Sequence, residues 1–282
     1  MTKPLTLDDL VDKTFAIRKH IIEMLLEAKS GHSAGSLGMT DVFAALYFCV
    51  MKHDPTKPNW SERDRLLLSA GHICPALYAT LAEVGYFPKS HLKTLRKLGS
   101  PLQGHPHLGS LPGIENTSGP LGQGLSQACG VALAFKMDNL KNNVFAILSD
   151  GEHQEGQTWE AYMLGAKYRL SNLTVLIDRN NIQIDGNTED IMPLEPLRAK
   201  LEAFGWHVQE IDGHNLEAII DACHQAQAVA HAPSAIICHT IPGKGVEFME
   251  GDFKWHGAPP TAAQAKEALR ELRTLKGKIR YQ

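Results

Sequence analysis

What the 282-residue sequence lacks narrows its roles before any motif is considered. No apolar run approaches the ~20 residues of a membrane-spanning helix, and Met1-Thr2-Lys3-Pro4-Leu5 lacks the apolar stretch of a cleavable export signal. There is no surplus of positive charge: 28 Lys and Arg face 31 Asp and Glu, for a formal net charge of −3. Neither nucleic acid nor a membrane is therefore an expected partner. Cysteines are few and scattered. The five (Cys49, Cys74, Cys129, Cys223 and Cys238) are odd in number and show no metal-ligand spacing. They read as buried thiols in a reducing, cytoplasmic setting rather than as a disulfide framework. Internal repeats and low-complexity segments are absent as well.

What is present reads as an ordinary globular protein, 43% hydrophobic and 21% charged. One domain over residues 1–282 is expected, with an N-terminal helical segment at about 6–50 and a C-terminal helix at about 261–277 that leads into a basic terminus. Thr6 followed by Asp9 marks a helix start, and apolar positions at helical spacing continue to about Ala28. Lys29 to Gly38 breaks that helix with small residues, and a second apolar helix covers Thr40 to Val50. Arg65 to Ser69 reads as a buried strand ending at Ala70-Gly71-His72. Gly99 to Gly122, rich in Gly, Pro and His, is too long to be a casual connection. A small-residue helix follows at Gly124–Met137. Strands at Val144–Leu148, Leu173–Ile177, His207–Ile211 and Ser234–His239 then alternate with helices at about Gln157–Tyr168, Leu194–Ala203 and Leu216–Ala230. This alternation predicts an α/β fold, a parallel sheet flanked by helices on both faces.

Open α/β sheets bind ligands at the carboxyl ends of their strands. One strand ends in Ser149-Asp150-Gly151-Glu152 and the next in Asp178-Arg179-Asn180-Asn181-Ile182. A carboxylate there holds a metal, a glycine lets phosphate approach the backbone, and a helix start attracts anionic oxygens. Adjacent strand ends bring the Asp150 carboxylate and the Asn180 amide oxygen, thirty residues apart, within reach of one hard cation. Magnesium takes such oxygen ligands together with phosphate oxygens. With a net negative chain and fourteen histidines, any anionic ligand must be held by such local devices.

The paired motif resembles the diphosphate-binding signature of thiamine-diphosphate enzymes, with Ser149 where that signature usually begins with glycine. Ser30-Gly31-His32, Ser69-Ala70-Gly71-His72, Gly104-His105-Pro106, Gly119-Pro120-Leu121-Gly122-Gln123-Gly124 and His256-Gly257-Ala258-Pro259, in that order, narrow the resemblance to the N-terminal half of transketolases. It covers almost the whole chain. The resemblance implies thiamine diphosphate and Mg2+, with Ca2+ or Mn2+ able to substitute. Asp150, Asn180 and the backbone carbonyl of Ile182 would coordinate the metal. His72, His256 and Gly151 would contact the diphosphate, and Gly119 and Leu121 would line the cofactor. His32 and His105 would face the donor sugar and help move protons. Glu155 is similar to an acid that links paired active sites across a dimer; Glu160 is either its companion or a first-turn helix acid. Ser33-Ala34-Gly35-Ser36 departs from the Pro-containing run of many transketolases, which leaves nearby substrate contacts open. His20, His53, His91, His107, His207, His224 and His231 read as ordinary structural histidines. Lys244, in Gly243-Lys244-Gly245, would shape a loop over the cofactor. Replacing Asp150 is expected to remove the cofactor and leave the fold.

The resemblance stops at the end of the first transketolase domain. It implies a partner, a C-terminal transketolase subunit carrying the pyrimidine-binding domain, and assembly into a dimer of heterodimers. The starting methionine, the capped first helix and the charged last helix favour a natural subunit of a split enzyme over an excerpt of a longer one. The implied reaction moves a two-carbon ketol unit from a ketose to an aldose, usually as sugar phosphates. The open alternatives are a thiamine enzyme acting on an oxo acid, like deoxyxylulose-phosphate synthase or an oxo-acid dehydrogenase, and a catalytically silent scaffold subunit.

Overall fold

The computed structural model describes residues 5–279; Met1–Pro4 and the basic end from Arg280 lie outside the described residues. Helix α1 (Leu7–Ala28) starts with the expected reciprocal cap. The Asp9 N–H donates to Thr6 Oγ at 3.2 Å, and the Thr6 N–H donates to Asp9 Oδ2 at 2.9 Å. The small-residue segment that follows is not simply a break, because it forms a short helix, α2 (Ala34–Gly38). Its glycines permit close approach: a Cβ on Gly35 would lie 2.8 Å from Ile73 Cγ2, and one on Gly38 would lie 3.1 Å from the Ile241 carbonyl oxygen. Helix α3 (Thr40–Ala45) continues through a π-helical turn to Val50. Strand β1 (Arg65–Leu68) leads to α4 (Cys74–Val84), a helix that the sequence pattern does not reveal. Every residue from Cys74 to Ala82 is buried, so no polar face marks a helical period.

Next come α5 (Gly124–Met137), β2 (Val144–Ser149), α6 (Gly156–Lys167) and β3 (Leu173–Arg179). A small hairpin of β4 (Ile182–Gln183) and β5 (Gly186–Asn187) and a single-turn helix α7 (Thr188–Ile191) follow, none of them expected. Helix α8 (Leu197–Ala203) begins three residues later than expected because Pro196 holds its N-cap in an extended conformation. The chain finishes with β6 (His207–Asp212), α9 (Leu216–Ala228), β7 (Ser234–His239) and α10 (Ala262–Ile279).

The five long strands form one parallel sheet in the order β1-β2-β3-β7-β6. Alternate residues serve opposite faces. Phe145, Ile147, Leu176 and Ile236 pack with residues of α1, α3, α4 and α9. Val144, Ala146, Leu148, Val175 and Ile177 pack with residues of α5, α6 and α8. Both faces are therefore covered, which is why β2 and β3 read as continuous apolar runs. Each buried Val, Leu, Ile or Phe among them contributes about 1.5–3 kcal/mol relative to exposure. Helix α5 starts hard against the end of β1: a Cβ on Gly124 would sit 2.5 Å from Ser69 Cα. The cysteines are all free, but Cys49 is exposed in the π-helical turn, contrary to the expectation that all five are buried. No helix among the described residues is long and apolar enough to cross a membrane.

Candidate active site

The register Ser149↔Asp178 sets the tips of β2 and β3 side by side. Ser149 is not among the residues with positive φ, so a side chain at this position costs no backbone strain. Beyond the tips lies a cavity of about 280 Å³. Gly151, Asn180 and Ile182 form one wall, Gly119 and Leu121 another, and His32, His72, His256 and Glu155 complete it. Gln183 and Ile184 of the unexpected hairpin also contribute. Two of the residues expected to meet the metal or the substrate, His105 and Asp150, stand outside this lining, as do Glu160 and Lys244. His105 borders a neighbouring, more open hollow, with its ring 6.3 Å from that of His32. Gly119, at φ +146°, packs on the His105 ring, where a Cβ would reach 3.4 Å from Cγ. Asp150 has no exposed surface and lies behind the wall.

The histidines form a cluster. Ring centroids of His72 and His256 are 5.0 Å apart and stacked, and His32 lies 5.3 Å from His72 and 5.6 Å from His256. Burial pushes the His32 pKa down to about 4, helped by the neighbouring His256, Arg96 and His105. Burial holds His72 well below its usual range, with its histidine neighbours adding to the effect. Burial also lowers His105 and His256. The cluster is therefore uncharged at neutral pH and offers N–H donors to an anionic ligand. His32 Nδ1 is buried without a partner among the described residues, an unmet bond that a ligand can satisfy.

His32 should also leave a mark on stability. Its folded pKa lies below its unfolded value, so the unfolded chain binds more protons between about pH 6.5 and pH 4, and stability falls as pH drops through that window. In His32→Asn this part of the slope should disappear, flattening the pH dependence by up to ~1.4 kcal/mol per pH unit. Urea midpoints at pH 7, 6 and 5 measure it; parallel curves for both proteins would contradict a neutral His32.

Asp150 is held from several sides. Its Oδ2 accepts from Arg179 Nη1 at 3.0 Å and from the Asn181 N–H at 2.8 Å, and Oδ1 accepts from the Gly151 N–H at 2.7 Å. Burial raises its pKa and the Arg179 guanidinium opposes that rise. Arg179 Nη2 also donates to Glu189 at 2.7 Å and Glu195 at 2.9 Å. Asn180 Nδ2 donates to Asp178 at 2.7 Å, while Asn180 Oδ1 accepts from the Ile182 N–H at 3.0 Å. Asp178 is pushed up to about 7, chiefly by burial. Among the described residues no group of three or more His, Cys, Asp and Glu could hold a metal. A magnesium site here needs none, since one carboxylate, one amide oxygen and one peptide oxygen leave the remaining positions to phosphate and water. Asp150 Oδ1 and Asn180 Oδ1 each accept one of these bonds and retain a lone pair. The donor set fits a hard divalent cation.

Three further features are not evident from sequence. Arg179 holds Asp150, a role that its place in the strand-end motif leaves open, although a cation next to a strand-end aspartate is a usable signal. Glu152, two residues after Asp150, is fully buried. The His153 ring bridges the Ser149 carbonyl at 2.9 Å and the Tyr162 hydroxyl at 2.8 Å, a role that only tertiary structure reveals. Glu155 and Glu160 are both exposed. The Gly243 N–H donates to the Ala34 carbonyl at 2.8 Å, which ties the loop bearing Lys244 to α2.

Known proteins match this arrangement. The model of the transketolase thiamine-diphosphate-binding domain matches residues 11–276. A 6-deoxy-6-sulfo-D-fructose transketolase subunit from Clostridium sp. (strain MSTE9) is 48% identical over 94% of this chain and 96% of its own length. An apulose-4-phosphate transketolase subunit from Phocaeicola vulgatus is 44% identical over 90% of each chain. The crystal structure of Campylobacter jejuni transketolase superposes with a TM-score of 0.89 at 32% identity, covering 97% of this chain and 43% of that one. The chain thus spans the two subunit relatives almost entirely but less than half of that transketolase. On its sequence, its fold and the residues around its cavity, the chain belongs to the transketolase family, as the thiamine-diphosphate-binding domain.

Proposed function

We propose that this chain is the N-terminal subunit of a two-polypeptide transketolase, transferring a two-carbon ketol unit from a ketose to an aldose, both carrying a terminal phosphate or similar anion. The observation that carries this reading is the shared cavity in which Gly151, Asn180 and Ile182 face His72 and His256. Asp150, Asn180 and the Ile182 carbonyl would hold Mg2+, with Ca2+ or Mn2+ as substitutes, and the metal would anchor the diphosphate. Thiamine diphosphate, when bound, would supply the nucleophile and the electron sink that breaking and making a carbon–carbon bond require.

The chain's own share is binding and proton handling. His72 and His256 donate to diphosphate oxygens without bringing permanent charge. Gly119 and Leu121 present backbone groups to the cofactor's rings. Neutral His32 and His105 hydrogen-bond the donor sugar's hydroxyls and accept or return a proton as its carbonyl carbon reacts. A C-terminal subunit carrying the pyrimidine-binding domain completes the site, and exposed Glu155 and Glu160 meet a second copy in a dimer of heterodimers. The free thiols suit a cytoplasmic enzyme.

The two subunit relatives are named for a sulfonated ketose and a phosphorylated one, which supports a donor with a terminal anion. The assembled pair, given thiamine diphosphate and Mg2+, should cleave ketose phosphates and pass the two-carbon unit to an aldose phosphate, with no release of carbon dioxide from pyruvate. Pyruvate turnover without ketose turnover would replace this reading with an oxo-acid enzyme.

A further inference from the structure

Glu152 is fully buried, and no cation pairs with it among the described residues. An unpaired buried carboxylate is strongly unfavourable unless hydrogen bonds satisfy it. Here three segments do so. Glu152 Oε1 accepts from the Ser69 hydroxyl and from the Gly122 N–H, the latter at 2.7 Å, while Oε2 accepts from the Ser149 N–H at 3.3 Å. Ser69 Oγ in turn accepts from the Gly124 N–H at 2.9 Å. The Thr158 hydroxyl fixes the Glu152 backbone by donating to its carbonyl at 2.9 Å.

Each tethered residue borders a segment that faces the cavity. Ser69 precedes Ala70-Gly71-His72, Gly122 follows Gly119-Pro120-Leu121, and Ser149 precedes Asp150-Gly151. His72, Gly119, Leu121 and Gly151 all line that cavity, and Glu152 does not. One carboxylate thus knots its own loop, at Ser149, to two loops from distant parts of the sequence, at Ser69 and Gly122. We propose that Glu152 is a positioning residue that fixes the loops at Ser69, Gly122 and Ser149 in the spacing that receives thiamine diphosphate. Its acceptor capacity, rather than its volume, performs that task. The assignment rests on the cofactor reading above.

The test uses the assembled two-chain complex with Glu152→Met, close in length, and Glu152→Gln, which keeps one acceptor oxygen. Melting of the cofactor-free complex and calorimetric Kd for thiamine diphosphate at saturating Mg2+ are both read. Glu152→Met should lower melting, because the Ser69, Gly122 and Ser149 donors are left buried without an acceptor although the apolar side chain fills the same space. Its Kd should rise at least about tenfold, because three donors that shape the loops lose their acceptor. Glu152→Gln should recover part of that loss, which a purely space-filling role would not require. Wild-type Kd in both variants, or a Kd for Glu152→Gln no better than that of Glu152→Met, overturns the assignment. If Glu152→Met does not fold, Glu152→Gln decides: unchanged melting with a raised Kd supports the role, and an unchanged Kd refutes it. A wild-type complex that fails to bind thiamine diphosphate refutes the cofactor reading itself, and Glu152 positioning falls with it.

Discussion

Replacing Asp150 by alanine should weaken magnesium-dependent binding of thiamine diphosphate by the assembled complex more than about 100-fold, since even indirect partners of metal ligands cost 10–100-fold. The carboxylate is the one charged member of the oxygen set, so its loss removes most of the attraction for a divalent ion. The structure adds a second cost that the sequence did not foretell. Asp150 is not an isolated ligand at a strand end, because it accepts from Arg179, Asn181 and Gly151 in a fully buried position. Breaking one side of a buried ion pair typically costs 3–5 kcal/mol, and the low end, about 3 kcal/mol, is expected because Arg179 keeps Glu189 and Glu195. Asp150→Asn preserves shape and should lose less stability while still losing the metal. Calorimetry and urea unfolding of both variants separate the two effects. Wild-type cofactor affinity in Asp150→Ala would show that the metal binds elsewhere.

The isolated chain should transfer no ketol unit, with activity at least about a thousandfold below that of the two-chain mixture, because the cofactor works only where protein orients its reactive carbon. Among the described residues, nothing covers one side of the cavity. Ile184, on its rim, is 64% exposed, and Glu155 is exposed beside it. A site open to water neither strengthens its electrostatic contacts nor protects a carbanion from protonation. The fraction of a full transketolase that this chain covers, 43% in the Campylobacter jejuni structure, gives the missing cover a source. Assays of each chain alone and mixed, at saturating cofactor and Mg2+, measure the effect. Turnover by this chain alone would end the two-polypeptide reading.

How much of this could be read from sequence depends on how local each signal is. The capped start of α1 and the strands β2, β3, β6 and β7 were legible because caps and apolar runs are short-range patterns. Helix α4 was not, because a helix buried on every side has no alternation to detect. The hairpin β4–β5 was hidden within a motif legible for its ligands alone, although it brings Gln183 and Ile184 to the cavity. At the site, glycine-flanked His32, His72 and His105 were visible as unusual loop histidines, and the strand-end pair Asp150 and Asn180 followed from spacing. The ion pair on Asp150 and the Glu152 knot were not legible. Arg179 lies 29 residues from Asp150, and Glu152 lies 83 residues from Ser69, so only the fold shows which of many charged residues become buried together.

The central claim is that a divalent ion at the neighbouring tips of β2 and β3 anchors the cofactor's diphosphate among neutral histidines. Titrating thiamine diphosphate into the metal-stripped two-chain complex, with and without added Mg2+, tests it most directly. The account predicts tight binding with Mg2+ and little or no binding heat in its absence. Equal affinity under both conditions would contradict it.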